Sequence, residues 1–122
     1  MYEQPHFTIN RSLIVLLPKQ AAYDWLMGAG TNPPKLTLAE IRKDPNGFLV
    51  SQSKVENLDV AESWVHQRWD LFFTHFLNSW HTDEQHWPQK RSLAMFKEFF
   101  EIQSHFKVWD LSDEPIERAE AA

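Results

Sequence analysis

The sequence contains no cysteine, and this absence limits its chemistry. Disulfide bridges, thiolate nucleophiles and cysteine metal ligands are therefore all excluded. A chain of 122 residues is long enough to bury a hydrophobic core without such cross-links. Because disulfides are typical of oxidising compartments, a cysteine-free chain fits a reducing one, and we expect the cytoplasm.

Glycine and long apolar segments are also scarce. The three glycines do not form a phosphate-binding loop, and no serine lies in the glycine-flanked turn of a hydrolase nucleophile. The longest apolar run, "LIVLL", is far too short to cross a bilayer. The segment "MYEQPHFTINRS" lacks the charged, apolar and cleavage regions of a signal peptide. These features predict a cytoplasmic protein that does not act at a membrane.

Positive charge is in deficit, whereas aromatic residues are plentiful. Seventeen acidic residues against 12 basic ones give a formal charge of -5, which disfavours a nucleic-acid backbone as partner. Aromatic residues make up 14% of the chain and include nine Phe and six Trp. This composition is typical of a globular domain. We predict a single domain over residues 1–122, with residues 1–7 and 117–122 frayed.

The order of β-branched and amphipathic segments predicts an α+β fold. Thr37 followed three residues later by Glu40 is a capping-box pattern that starts a short helix. This order predicts a small sheet of about three strands packed by helices, including a helical hairpin from the long helix and the following helix. The predicted strands are residues 8–17, 48–52 and 105–111, and the predicted helices are residues 18–28, two turns from Thr37, residues 60–79 and residues 92–102.

The long helix is the strongest of these predictions. Large apolar residues recur in it every three or four positions, which places them on one side of a helix. Polar residues fall largely on the other side. We expect the following to be largely buried: Trp64, Trp69, Phe72, Phe73 and Phe76.

The stretch "NSWHTDEQHWPQKRS" joins the two helices of that hairpin and has two interpretations. In the first, Pro88 holds Trp87 extended, and Trp87 folds back as an apolar plug. Short polar side chains then accept backbone N–H bonds in the turn. We favour this structural interpretation, which expects no catalytic residue, no metal and no cofactor. The residues of this structural corner are Trp80, Thr82, Asp83, Trp87 and Pro88.

The second interpretation is a small metal- or acid/base-dependent enzyme. The side chains His81, Asp83, Glu84 and His86 can all bind a metal, and His105 is a further candidate. A helical zinc site needs histidines three or four residues apart, so that both imidazoles leave the same face. His81 and His86 are five residues apart. The spacing therefore gives this alternative little support.

Two further groups of ionisable residues are best interpreted as parts of the solvent-exposed surface. Glu62, His66 and Asp70 follow one another at four-residue spacing and form a row on the polar face of the long helix. Such a row could hold a cation or tune a proton-transferring histidine. The acidic residues of "DLSDEP" gather near the end of the third predicted strand: Asp110, Asp113 and Glu114.

The corner and the C-terminal segment carry a resemblance that spans most of the chain. The similar residues there are Trp80, Thr82, Asp83, Glu84, Trp87, Pro88, Arg91, Met95, Phe96, Phe100, His105, Val108, Asp110, Leu111, Asp113, Glu114 and Pro115. Together with "LLPKQAAYDWL", they resemble a family of short, uncharacterised bacterial proteins. The resemblance implies a bacterial cytoplasmic setting, but it implies no activity.

The strand pattern leads to a hypothesis about assembly. Alternation sends Leu13, Val15 and Leu17 to one face of the first strand, and Ile14 and Leu16 to the other. Helices can cover one face of such a sheet, and a second copy of the chain would cover the other. We therefore expect a non-enzymatic binding or assembly protein, partnered by itself as a homodimer or by another protein. In the rival arrangement, the first helix crosses to the far face and the chain stays monomeric.

Overall fold

The computed structural model describes residues 4–5 and 7–120, and it has the predicted α+β architecture. Within those residues, no helix is both long enough and apolar enough to cross a membrane. The strands are β1 (Phe7–Thr8), β2 (Arg11–Pro18), β3 (Asn46–Ser51), β4 (Phe100–His105) and β5 (Trp109–Asp110), and the helices are α1 (Gln20–Gly28), α2 (Leu38–Arg42), α3 (Leu58–His66), α4 (Trp69–Trp80) and α5 (Leu93–Phe99).

Both segments that were predicted to fray, residues 1–7 and 117–122, contain described residues. Phe7 pairs with Asp110 across the ribbon of β1 and β5, so it belongs to a strand. Residues 117–120 are exposed and have no regular structure. The predicted fraying at residues 1–3, 6 and 121–122 lies outside the described residues.

The main sheet has three antiparallel strands in the order β3-β2-β4. Burial alternates along β2 as far as Leu16, after which Leu17 on the outer face is buried too. Ser12, Ile14 and Leu16 are buried on the inner face, whereas Leu13 and Val15 on the outer face are half-buried. The inner face meets the helices, and Ser12 there donates its hydroxyl to the Val55 carbonyl at 3.2 Å.

Aromatic rings fill the space between this sheet and the helices. Phe73 of α4 is fully buried, with its ring centroid 4.9 Å from that of Phe99 and 5.7 Å from that of Phe100. Phe96 packs against the same ring at 6.0 Å. Tilted and edge-on contacts of this kind are the favoured geometry for aromatic pairs. These ring contacts pack α4 against α5 and against the start of β4. The two helices therefore form the predicted helical hairpin.

The predicted long helix is in fact two helices, α3 and α4, separated at Gln67 and Arg68. At the break, the Arg68 backbone N–H bonds to the Val65 carbonyl, a tightened turn. Arg68 also donates its guanidinium to the Trp64 carbonyl and lies 4.0 Å from the Trp64 ring centre. The break interrupts the row of apolar residues that was predicted to face the core. Trp64 and Trp69 are therefore only half-buried, whereas Phe72, Phe73 and Phe76 of α4 are buried as predicted.

The C-terminal third also differs from the prediction. The helix predicted for residues 92–102 ends at Phe99, and the third strand of the sheet follows at once as β4, residues 100–105. The strand predicted at residues 105–111 is reduced to Trp109–Asp110, which pairs with β1 instead of the main sheet. The helix gives way to the strand where Phe100 pairs with Pro18 in the ladder of β2 and β4, and both Phe99 and Phe100 are buried there.

Candidate functional site

The corner between α4 and α5 is held by two indole N–H groups. Trp87 is 8% exposed, as predicted, and its Nε1 donates to the His81 carbonyl at 2.7 Å. Trp25 of α1 donates its Nε1 to the His86 carbonyl at 2.8 Å. Each indole N–H therefore satisfies the hydrogen-bonding capacity of one backbone carbonyl in the loop. The second bond also ties the corner to a helix from the other end of the chain.

The polar residues of the corner mostly shape the turn. Asp83 accepts the Gln85 backbone N–H at 3.0 Å, which confirms the predicted role of a short polar side chain at this point. Thr82 and Glu84 are exposed. Trp80 is 36% exposed at the end of α4, where it lines a pocket described below.

The two histidines of the corner lie side by side. Their ring centroids are 5.3 Å apart, and His86 Nε2 is 3.9 Å from Asp83 Oδ2. The other neighbours of His81 are packing partners: the Trp25 ring stands edge-on at 5.6 Å, and a Cβ at Gly30 would lie 3.0 Å from its Cε1. In the described part of the chain, no group of three histidines or carboxylates is placed to hold a metal ion.

The row of Glu62, His66 and Asp70 is divided by the helix break. Asp70 lies in α4, where its Oδ1 is 3.8 Å from Arg91 Nε, beyond hydrogen-bond range. His66 ends α3 with its ring edge-on to Phe96. Burial, followed by the positive charge of Lys97, lowers the pKa of His66 below its ordinary value of 6.5, and the Glu62 carboxylate raises it in part.

The acidic C-terminal residues do not gather around His105. His105 is exposed in β4 opposite Leu13, whereas Asp110 lies in the separate ribbon. Asp110 accepts the Ser112 backbone N–H at 2.9 Å, and the Ser112 hydroxyl accepts the Glu114 N–H at 3.0 Å. These bonds are those of successive turns.

A pocket of about 220 Å³ opens between the inner face of the sheet and α4. It lies where α2 and the following loop meet the beginning of β3, the end of β2 and the C-terminal half of α4. Its floor belongs to the core, because Leu16, Phe72 and Phe76 are buried. The residues that line it are Leu16, Pro18, Ile41, Asp44, Pro45, Asn46, Phe48, Phe72, His75, Phe76, Ser79, Trp80 and Phe100.

Aromatic contacts set the shape of this pocket. Phe48 stands edge-on to Phe72 with a centroid distance of 5.0 Å, and edge-on to His75 at 5.5 Å. On the opposite wall, Phe76 and Phe100 are edge-on at 4.9 Å. Rings that pack against one another from α4, β3 and β4 leave little freedom to collapse, so the cavity is preformed.

The mouth of the pocket is polar. Asp44 lies on the loop that leads into β3, Asn46 begins β3, and His75 and Ser79 lie one turn apart on α4. All four are exposed. The Ser79 hydroxyl donates to the Phe76 carbonyl at 2.6 Å, so it is already engaged by its own helix.

The sequence predicted parts of this pocket but not the pocket itself. Phe72 and Phe76 belong to the predicted apolar stripe, and "KDPNG" was recognisable as a turn. The available signal was the turn Asp44-Pro45-Asn46-Gly47, which Phe48 follows directly. Only the fold brings that turn to the end of α4, because the two segments are about thirty residues apart.

The outer face of the sheet carries an apolar stripe of Leu13, Val15 and Leu49. Leu49 is 50% exposed, and the register places it beside Leu13. The first helix does not cross to this face, because Trp25 of α1 packs on Phe76, on the inner side. At one end of the stripe, the C-terminal segment passes close by, where Ile116 lines a wide depression together with Leu49.

Comparison of the chain with protein-family models, curated proteins and solved structures gave no significant match.

Proposed function

We propose that this protein is a non-enzymatic binding protein whose site is the aromatic pocket between the sheet and α4. The observation that carries the proposal is a preformed apolar cavity with polar groups at its mouth. Concave, mostly apolar sites with a few placed polar groups are where small molecules bind. The Ser79 hydroxyl already donates to a carbonyl of its own helix, which supports binding over a role as nucleophile.

The dimensions of the cavity indicate a small ligand. A volume of about 220 Å³ is below the roughly 300–1,000 Å³ of sites for drug-sized molecules. The floor of buried phenylalanines favours an apolar body, and the mouth favours one polar end. A compact molecule with these two parts fits both regions.

The experiment compares small-molecule binding by three forms of the protein. Ser79→Phe places a ring at the mouth of the pocket, whereas the control Asn78→Phe adds the same ring at the neighbouring exposed position, outside the lining. We expect compact aromatic and aliphatic molecules to raise the melting temperature of the wild type and of Asn78→Phe, and to leave Ser79→Phe unchanged. Equal stabilisation of all three forms would place binding elsewhere.

The outer sheet face favours a second candidate, an assembly role through a homodimer. An exposed leucine next to two half-buried apolar residues on one sheet face is suited to a self-complementary contact. The setting that we propose for either role is a bacterial cytoplasm, supported by the absence of cysteine and by the resemblance of the corner.

A further inference from the structure

The geometry points to a small organic cation as the ligand of the pocket: an amine or a quaternary ammonium ion with short apolar substituents. This inference rests on the proposed function and adds the charge of the ligand. Three features of the pocket favour a positive charge: a carboxylate, aromatic walls and the end of a helix.

The first feature is the charge of the lining. Among the described residues around the pocket, Asp44 contributes a carboxylate, and neither lysine nor arginine is present. Within the described part of the chain, Asp44 forms no ion pair. Its carboxylate is therefore available to a ligand at the mouth.

The second feature is the aromatic content of the walls. Four phenylalanines and Trp80 line a space of about 220 Å³. Aromatic faces attract cations because the ring quadrupole is negative there, and tryptophan is the strongest of these partners. A quaternary ammonium ion combines that charge with an apolar surface, so it suits a cavity whose floor is hydrophobic.

The third feature is the end of α4. Ser79 and Trp80, the last two residues of this 12-residue helix, both line the pocket. The last carbonyls of a helix carry partial negative charge, which favours a cation nearby. The final turn of α4 contains no basic residue that would compensate this charge.

Arg42, at the end of α2, lies two residues before Asp44 and carries a competing positive charge. Its guanidinium donates to the Pro18 carbonyl at 2.9 Å and to the Glu101 carboxylate at 3.4 Å. Both bonds direct its charge toward the sheet, where Glu101 balances it. Arg42 is therefore already paired, and a small anion at the mouth would meet the Asp44 carboxylate unfavourably.

The test uses two probes of nearly identical shape: choline, and its neutral counterpart 3,3-dimethylbutan-1-ol. Binding of each is followed by NMR titration in the wild type, in Asp44→Asn and in Asp24→Asn. Asp24 is an exposed aspartate on α1 outside the pocket, so the control removes the same charge at a distance. Benzoate, an anion, serves as a third probe.

We expect choline to bind the wild type and Asp24→Asn roughly three- to thirtyfold more tightly than the alcohol does. Asp44→Asn should lose most of that preference and keep its affinity for the alcohol. Equal affinities for choline and the alcohol, or tighter binding of benzoate, would overturn the cation assignment while leaving small-molecule binding intact. A preference for choline unchanged in Asp44→Asn would overturn the role of Asp44, and binding of none of the probes or of other compact molecules would contradict the proposed function itself.

Discussion

Trp87 and Trp25 hold the reversal of the chain between α4 and α5 from opposite sides. The burial of Trp87 follows from its own neighbourhood, because the next residue is a proline that keeps the backbone extended. The part played by Trp25 depends on α1 packing beside the corner, some sixty residues away in sequence. The backbone carbonyls of His81 and His86 thereby each accept a hydrogen bond from an indole. The positions of the two imidazole rings are set by packing contacts.

His66 provides a prediction about the dependence of stability on pH. Its pKa is lowered in the folded protein, so the unfolded chain binds the proton more strongly. The stabilisation from a neutral His66 is therefore complete well above pH 6.5, and it is lost as the pH falls through 6.5 toward the folded pKa. The groups that face it are Phe96 and Lys97 of α5 and Glu62 of its own helix.

The measurement is the free energy of unfolding by urea between about pH 8 and about pH 5. The wild type should lose more stability over this range than His66→Gln, which cannot take up the proton. Identical slopes for the wild type and His66→Gln would contradict the prediction.

The helix α4 contributes residues both to the hydrophobic core and to the lining of the candidate pocket. Phe73 is fully buried among four aromatic rings, whereas Leu71 on the same helix is 61% exposed. Phe73→Ala should lower the free energy of unfolding by roughly 3–5 kcal/mol, the usual range for a deleted core aromatic. The control Leu71→Ala should change it by only about 0.5 kcal/mol. Similar losses in the two variants would contradict the orientation of α4.

Elements with local signals were predictable from the sequence. The short helix α2 has the predicted capping box, in which the Thr37 hydroxyl accepts the Glu40 N–H and the Glu40 carboxylate accepts the Thr37 N–H. The strand β3 follows a clear turn. In each case, the bonds that fix the element lie within a few residues of it.

Elements fixed by distant packing were not predictable. No proline or glycine marks the break at Arg68, where the arginine packs over Trp64 of its own helix. Phe96, Phe99 and Phe100 have helical spacing, although the last of them begins a strand whose edge position depends on β2. The candidate pocket is still less visible, since its lining comes from α2, α4 and three strands.

On the scale of the whole molecule, the outer face of the main sheet is exposed at Leu49, whereas Leu17 at its other end is buried where α2 contacts β2. Such a face, with Leu49 half-exposed at its edge, supports the expectation of a homodimer. In a two-fold contact, strands that run in opposite directions would set the Arg11 end of one copy near the Glu101 end of the other. Opposite charges would then flank the apolar stripe.

Light scattering at micromolar concentration tests this assembly. We expect twice the chain's mass for the wild type, and a single chain's mass for Leu49→Glu, because a buried carboxylate without a partner is costly. The control Leu111→Glu changes a leucine of similar exposure that lies outside the main sheet, and it should remain dimeric. A monomeric wild type would end the dimer hypothesis, but it would not affect the pocket.

The pocket is tested most directly by mapping where a compact organic molecule perturbs the backbone amide signals. A ligand in the cavity should shift the amides of Asn46, Phe48, His75, Ser79 and Trp80, which two separate segments contribute. The largest shifts should coincide on these segments and should disappear in Ser79→Phe. Shifts confined to the outer strand face or to the histidine corner, or no shifts with any compact molecule, would contradict a binding site between the sheet and α4.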